Sequence, residues 1–337
     1  MISPLPPTFD AALRDVRAEQ PRFRGAAAAR LGRPPPEHRD DAIAGLLLLA
    51  EDSVGAVREA AYESLGALEA TDALPVLLGA FDDVHQGARQ AAVLAVSRIS
   101  PERGAEAAAL LLDDARPEMR FASIWTLSAL GAEHAEQIAR GLDDEDAEVR
   151  LLALQCLGDL NAAQHADSIA RLLDDAVDSV RFAAAASLAT LGDGRGAGTL
   201  RASLKRPERA LPAAIGLGDL VDRESHEELT RLAKHRWRSP ILRAAAARAL
   251  VRLGDPTGAA VIQRLVRSWR IEARQYAIEL VGELELTSLV PDLARSLKRS
   301  RAAERSVYEA ALERLAPRSR EAAALLASIR EANHPVS

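Results

Sequence analysis

The sequence is poor in cysteine, in aromatic residues and in long apolar runs. Its 337 residues include one cysteine, Cys156, and only 3% Phe, Trp and Tyr. A single cysteine excludes an internal disulfide framework and fits a reducing compartment. No apolar run approaches the roughly 18 residues needed to span a bilayer, so we expect no membrane insertion. Scarce aromatics beside abundant Ala and Leu predict helices that pack closely through small side chains.

The first ten residues, MISPLPPTFD, lack both the basic region and the apolar core of a secretory signal. We therefore expect a cytoplasmic protein. The prolines of this segment predict a short extended lead-in.

What the sequence does contain is an internal repeat, seen most clearly in residues 143–160, DDEDAEVRLLALQCLGDL. Val149, Ala153 and Leu157 fall on one face of a 3.6-residue helix. Gly158 follows the last apolar turn and predicts the end of that helix. Val149 serves as the anchor of this copy, and equivalent anchors recur every 29 to 34 residues along the chain. The ten anchors are Phe23, Val57, Ala88, Met119, Val149, Val180, Arg209, Leu242, Ala273 and Val307.

A second amphipathic segment lies between successive anchors, so each copy predicts a helix, a short turn and a second helix. One such pair cannot bury its apolar face alone, and stacked neighbours supply the core. The sequence therefore predicts an all-α fold, an α-α superhelix of about ten helix pairs, closed by a terminal helix over residues 320–329.

The pattern Asp, four residues, Val-Arg, Ala-Ala, Leu-Gly resembles the HEAT repeat, and especially the short bacterial type named after phycobilisome lyases. The resemblance covers residues 9 to 330. It implies a solenoid that offers binding surfaces, and it says little about the particular function.

Two ladders of charged residues accompany the repeat. An aspartate precedes the anchor by five positions in five copies, and an arginine directly follows it in eight. The resemblance implies structural roles, with Asp satisfying helix-start amides and Arg spanning adjacent turns. These residues are Asp52, Asp83, Asp114, Asp144 and Asp175, with Arg24, Arg58, Arg89, Arg120, Arg150, Arg181, Arg243 and Arg274.

The ladders fail in the seventh copy, where Leu204 and Ala210 replace the charged pair and Pro212 lies within the expected helix. Proline beyond the first turn kinks or delays a helix. Within one continuous solenoid over residues 1–337, this predicts a bend near 200–220. The alternative, a helix that merely starts later, is equally consistent with the sequence.

Charge changes sign at the same place. Residues 1–200 contain 18 Lys and Arg against 32 Asp and Glu, a net charge of −14. Residues 201–337 contain 25 against 17, a net charge of +8. The predicted bend thus separates an acidic segment, 9–200, from a basic segment, 201–330, and the two charged edges would steer a partner.

The basic segment contains the first candidate surface. Arginine beside exposed aromatic rings can hold phosphates and stack bases, so nucleic acid is a possible partner. The competing interpretation is that both tryptophans cover the core at the turns while the arginines are solvated. This basic edge comprises Lys205, Arg206, Arg236, Trp237, Arg238, Arg267, Trp269, Arg270, Lys298, Arg299 and Arg301.

The second candidate surface follows from helix geometry. Positions two and six after the anchor should face outward on the second helix of each pair, on the inner, concave wall of a HEAT-like solenoid. They are polar near the chain ends and mostly apolar in the middle. An exposed apolar patch usually marks a partner site, although deeper burial by tight curvature would also explain it. This apolar strip comprises Phe121, Trp125, Leu151, Gln155, Phe182, Leu211 and Ile215.

Other signals favour structure over chemistry. The segment GDGRGAG at 192–198 lacks the context of a phosphate-binding loop and predicts a turn like that at 254–256. His134 and His165 occupy equivalent positions, but exposed helix starts explain them. Cys156 is expected to be a buried structural thiol. We expect no catalytic residues, no metal and no cofactor.

The preferred function is a non-catalytic scaffold or adaptor that binds another protein or peptide through the apolar strip. A nucleic-acid-binding protein using the basic edge is the main alternative. A lyase-like or chaperone-like protein holding an apolar ligand is suggested only by the repeat subtype.

Overall fold

The computed structural model describes residues 8–300 and 304–333, and all regular secondary structure within these ranges is helical. The chain forms two compact units, one ending at Ile169 and the other beginning at Ala170. This division lies inside helix α11, Ala166–Arg171. The bend near residues 200–220 stays a prediction.

The first unit contains five helix pairs, several of whose first helices begin with a 3₁₀ turn. The helices are α1 Phe9–Asp15, α2 Pro21–Leu31, α3 Arg39–Leu49, α4 Gly55–Ala67, α5 Leu74–Gly79, α6 Gln86–Ile99, α7 Pro101–Leu111, α8 Pro117–Leu130, α9 Ala135–Ala139 and α10 Ala147–Asp159.

The second unit continues the same alternation and ends in the predicted closing helix. Its helices are α12 Asp178–Thr190, α13 Ala197–Ser203, α14 Ala210–Asp219, α15 His226–Lys234, α16 Pro240–Arg252, α17 Pro256–Val266, α18 Ile271–Glu283, α19 Val290–Leu297, α20 Arg305–Leu315 and α21 Arg320–Asn333. Within the described residues, the prediction of about ten helix pairs and a terminal helix is confirmed.

Helix α10 shows how the repeat builds a helix. The side chain of Asp146 accepts the amide of Glu148 at 2.8 Å and so caps the N-terminus. Val149, Ala153 and Leu157 are buried, which confirms the predicted stripe. The prediction that Gly158 ends the helix is wrong, because α10 continues through Asp159.

Where glycine stands nine residues after the anchor, as at Gly66 and Gly218, it serves close packing. A Cβ at Gly66 would lie 2.8 Å from the Cα of Ala95, and one at Gly218 would lie 3.0 Å from the Cα of Ala249. Such distances are too short for carbon atoms, so glycine allows one second helix to approach the next. Each unit thus buries its core of alanine and leucine through backbone-close contacts.

Pro212 does not interrupt a helix. Helix α14 begins at Ala210, one residue after its anchor, whereas α12 begins two residues before its own anchor. Pro212 therefore lies in the first turn, where the amide that it lacks has no helical acceptor. The later helix start is confirmed.

Candidate interaction surfaces

The charged ladders of the first unit join adjacent repeats. Arg24 Nε lies 2.5 Å from Asp52 Oδ2, and Arg120 Nε lies 2.7 Å from Asp144 Oδ2. Both side chains of each pair are largely buried. Arginine thus pairs with the aspartate of the next copy, while its second nitrogen donates to a backbone carbonyl of its own turn. The structural interpretation of the ladders fits these contacts.

The aspartates also accept backbone amides at the approach to each helix. Asp83 accepts the amide of His85 at 2.8 Å, and Asp144 accepts that of Asp146 at the same distance. The hydrogen bond from Arg58 holds the pKa of Asp83 below its usual value. For Asp114, the partner Arg116 lowers the pKa to about 2. These carboxylates therefore stabilise the fold through hydrogen bonds within the chain.

The third junction uses a different acid. Because Asp114 is engaged by Arg116 at 2.8 Å, Arg89 pairs with Glu118 at 2.7 Å instead. The pair still joins α6 to the helix of the next copy, α8. This junction therefore keeps an ion pair between successive copies, which we call a rung, although its acidic residue differs.

The part of the apolar strip in the first unit lies on the solvent-exposed side of α8 and α10. Trp125 is 52% exposed, Phe121 and Leu151 are half-buried, and Gln155 is exposed. Residues on either side of them on the same helices, such as Ile124 and Leu154, are fully buried. The outward orientation predicted for these positions is thus what the structure shows.

Phe121 and Trp125 line a groove of about 270 Å³ between α6 and α8. Its other walls are Gln90, Leu94, Ala122 and Thr126. Leu94 is 37% exposed, although the strip predicted from the sequence did not include it. Positions two and six of the third copy are Gln90 and Leu94, so the rule that selected the strip would have found it.

An acidic depression adjoins this groove and shares Phe121 as a wall. It has a volume of about 320 Å³ and is lined by residues that include Glu118, Asp146 and Glu148. Apolar and acidic surfaces therefore meet at one aromatic ring.

The strip residues of the second unit are all half-buried, with no counterpart of the exposed Trp125. Phe182, Leu211 and Ile215 are half-buried and pack against that unit's core. The guanidinium of Arg209 lies 5.0 Å from the centre of the Phe182 ring and covers it. In this unit the alternative interpretation, burial against the core, describes these residues better than full exposure does.

The basic edge is divided between paired and unpaired cations. Arg206 lies 2.5 Å from Asp178, and Arg267 lies 2.6 Å from the buried Asp292. Arg301 lies outside the described residues. Within residues 8–300 and 304–333, the other cations of the edge form no ion pair; they are Lys205, Arg236, Arg238, Arg270, Lys298 and Arg299.

Both tryptophans of the basic edge point into solvent. Trp237 is 85% exposed and Trp269 is 82% exposed, so the interpretation that they cover the core is wrong. Each is accompanied by an arginine: Arg236 lies 5.7 Å from the Trp237 ring, and Arg270 lies 5.4 Å from the Trp269 ring. The structure therefore presents two solvated indole–guanidinium pairs.

The remaining sequence signals have structural roles. Gly192 and Gly254 both have positive φ angles, 77° and 83°, and lie in the turns after α12 and α16, as predicted. Cys156 is buried, and burial raises the pKa of its thiol. His134 contacts Gln137, and His165 is buried with Nε2 3.7 Å from Glu136. The described part of the chain contains no cluster of three or more potential metal ligands.

The comparison with known families agrees with this architecture. A model described as HEAT repeats matches residues 10–97 and 135–212. The chain belongs to the HEAT-repeat family. Repeats of this family generally mediate protein interactions, and no described helix of this HEAT-repeat protein could cross a membrane.

Solved structures resemble this HEAT-repeat protein in fold alone. YibA of Escherichia coli is 20% identical, with a TM-score of 0.56 over 72% of this chain and 92% of YibA. An engineered protein is 16% identical, with a TM-score of 0.47 over 91% of this chain and 98% of its own. Among curated proteins, none is significantly similar.

The complex of CpcE and CpcF of phycocyanin lyase from Nostoc sp. PCC 7120 is 18% identical, covering 84% of this chain and 97% of its own. Its TM-score of 0.34 carries no argument about function. The phycobilisome-lyase subtype and the lyase-like alternative therefore stay predictions.

Proposed function

We propose that this HEAT-repeat protein is a non-catalytic scaffold that binds a protein partner on the solvent-exposed side of α6, α8 and α10. The observation that carries the proposal is the half-exposed indole of Trp125 at an apolar groove. Its neighbours Leu94 and Phe121 leave apolar surface in water that a partner would cover. Exposed apolar patches of this kind mark interaction sites.

The chemistry of the groove and the acidic depression indicates which kind of partner would bind. The groove accepts apolar side chains, while Asp146 and Glu148 line the depression next to it. The matching ligand is an amphipathic peptide or helix with apolar anchors on one face and Lys or Arg beside them. The net charge of −14 over residues 1–200 favours the approach of such a basic segment.

Trp125 is the scaffold residue that we expect to contribute most to partner binding. Tryptophan dominates interface hot spots because its large ring is desolvated on binding. We expect Trp125→Glu to weaken partner binding about 30-fold or more, since hot spots contribute roughly 2 kcal/mol or more. Because the ring is half in solvent, the variant should keep its fold.

The test starts from affinity capture with the full chain, followed by mass spectrometry and synthesis of the captured segment. Isothermal titration then compares the wild type, Trp125→Glu and the control Trp237→Glu, whose indole is exposed in the other unit. The proposal predicts loss of binding in the first variant alone. Equal affinity of both variants and the wild type would refute it.

Phe182 is a poorer choice for such a test, although it belongs to the same predicted strip. Its ring packs against the core of the second unit and under Arg209. A charge there is expected to destabilise the unit, so lost binding would not identify a contact.

A further inference from the structure

The turn before α16 breaks the charged ladder in a specific way. Trp237 occupies the position five residues before its anchor, where the first unit has Asp52, Asp83 and Asp144. The partner position in the preceding copy is Ala210 instead of arginine. Both members of this rung are thus replaced together. The indole put in their place is 85% exposed, so the packing of the unit does not account for it.

The next copy also exposes an indole, but one position later in the repeat: it has Ser268 five residues before its anchor and keeps Arg243 at the partner position. Trp269 lies in the turn before α18 and is 82% exposed. Helix α16 packs on α18, and α15 packs on α17, so the two turns are neighbours at one end of adjacent helix pairs. Adjacent helix layers lie roughly 8–10 Å apart. About three nucleotides, at roughly 3.4 Å per stacked nucleotide, span that distance.

Unpaired cations surround the two rings. Arg236 and Arg270 lie over the indoles, and Arg238 follows directly in the same turn as Trp237. Lys298 and Arg299 lie in the turn after α19, which packs on α17. Arg267, by contrast, forms an ion pair with Asp292, so it is not one of these unpaired cations. Stacking of arginine on the rings keeps these positive charges close to the aromatic faces.

The start of α16 adds to the positive potential. Its N-cap, Ser239, makes no side-chain capping bond, and its first turn contains no acidic residue. The helix dipole of this 13-residue helix is therefore not offset by a carboxylate near the turn of Trp237.

We propose that these two turns form a binding site for single-stranded nucleic acid. Unstacked bases pack on Trp237 and Trp269, and the phosphates between them pair with Arg236, Arg238 and Arg270. An acidic peptide would satisfy the cations but leave both indole faces in water. A duplex would offer phosphates but no free base to stack. Single strands supply both chemistries at once.

The test measures fluorescence anisotropy of a labelled oligothymidylate of about 12 nucleotides with the full chain in about 50 mM salt. Base stacking contributes roughly 1–3 kcal/mol per base, so Trp237→Ala and Trp269→Ala should each weaken binding about 5- to 100-fold. The matched control is Trp125→Ala, an exposed tryptophan in the other unit. It should bind like the wild type and still show quenching of the remaining tryptophan fluorescence.

The electrostatic contribution is measured separately. The double variant Arg236→Gln and Arg238→Gln should lower the slope of log affinity against log salt by about 0.7 for each lost phosphate contact. Circular dichroism should match the wild type for all variants, since the substituted side chains support no core packing.

Three results would overturn the proposal. The first is no binding of the oligonucleotide in about 50 mM salt. The second is unchanged affinity of both tryptophan variants, which would reduce the site to charge alone. The third is tighter binding of an oligoglutamate peptide with the same dependence on Trp237 and Trp269, which would identify an acidic protein as the ligand. None of these results bears on the groove at Trp125.

Discussion

The two units hold their second helices together differently. In the first unit an ion pair from the ladder joins each successive pair of second helices, from Arg24–Asp52 to Arg120–Asp144. In the second unit the ladder lacks its acid between α12 and α14, where Leu204 stands, and both of its members between α14 and α16. Arg248 bridges instead from the middle of α16 to Asp219 at 2.8 Å and to Glu283 at 2.6 Å.

This difference separates two layers of the repeat's design. The apolar stripe and its close-packing glycine are common to both units and set the stack. The ionic rung is replaceable, because another pair can join the same helices from another position. Once the rung moves away from the turn, the turn is free to present a different side chain, as Trp237 does.

The largest effect is expected from breaking a buried rung. Asp83→Ala leaves Arg58 largely buried without its partner and removes the acceptor of the His85 amide. Loss of one member of a buried pair costs roughly 3–5 kcal/mol. Urea denaturation followed by tryptophan fluorescence measures the free energy of unfolding of this unit when Trp237 and Trp269 are replaced by Phe in all variants, so that Trp125 is the remaining tryptophan.

The neighbouring Asp82→Ala is the control, because that side chain is 91% exposed. Its expected cost is below about 1 kcal/mol. Similar losses for the two variants would show that the rung has no special role.

Packing should respond equally in both units. An added methyl group at Gly66 would collide with Ala95, and one at Gly218 would collide with Ala249. We expect Gly66→Ala and Gly218→Ala each to destabilise by roughly 1–3 kcal/mol in denaturant unfolding.

The control for these variants is Gly79→Ala. Nothing lies within 4 Å of the added Cβ, and the residue ends α5 on the surface. Alanine should be neutral or stabilise the helix there by up to about 1 kcal/mol. A tolerated Gly66→Ala would contradict the close-packing role.

Acid should weaken the first unit through Asp114. Its folded pKa of about 2 lies below the ordinary value, so its contribution is present above about pH 4 and is lost as the pH falls towards 2. Asp114→Asn should therefore cost about 1 kcal/mol at neutral pH and nothing near pH 2. Stability curves of both proteins between those limits test the convergence; a constant difference would exclude ionisation as the cause.

The smallest effect concerns the residue after each helix. Val221 and Asn161 occupy equivalent positions with φ of 52°. This region disfavours β-branched side chains and tolerates Asn. Val221→Gly is expected to raise the free energy of unfolding by about 0.5–1 kcal/mol, and Asn161→Gly should change it little. Calorimetry that shows equal effects would disprove the strain.

Much of this architecture follows from periodicity, since Val149, Ala153 and Leu157 need one common face in any helix that contains them. The sequence could also locate the rungs. It could not decide which acid each arginine meets, because Arg89 chooses Glu118 only after Arg116 has engaged Asp114. The effect of Pro212 was also ambiguous in the sequence, because it depends on where α14 begins.

The candidate surfaces were harder to predict for a related reason. Exposure of a turn residue depends on how the chain enters the next helix, which periodicity does not describe. Trp237 and Trp269 could therefore equally be predicted as core covers or as exposed rings. Phe182 and Phe121 both stand two residues after their anchors, yet Arg209 covers the first ring whereas the second lines an open groove.

The single thiol of this chain has a practical consequence. Cys156 is buried in α10, and burial raises its pKa, so a thiol reagent can modify it only when that part of the first unit opens. Its labelling rate is therefore a built-in clock for local opening. With no second cysteine to react, each molecule is labelled at most once, and the fraction labelled over time reports the opening of this region.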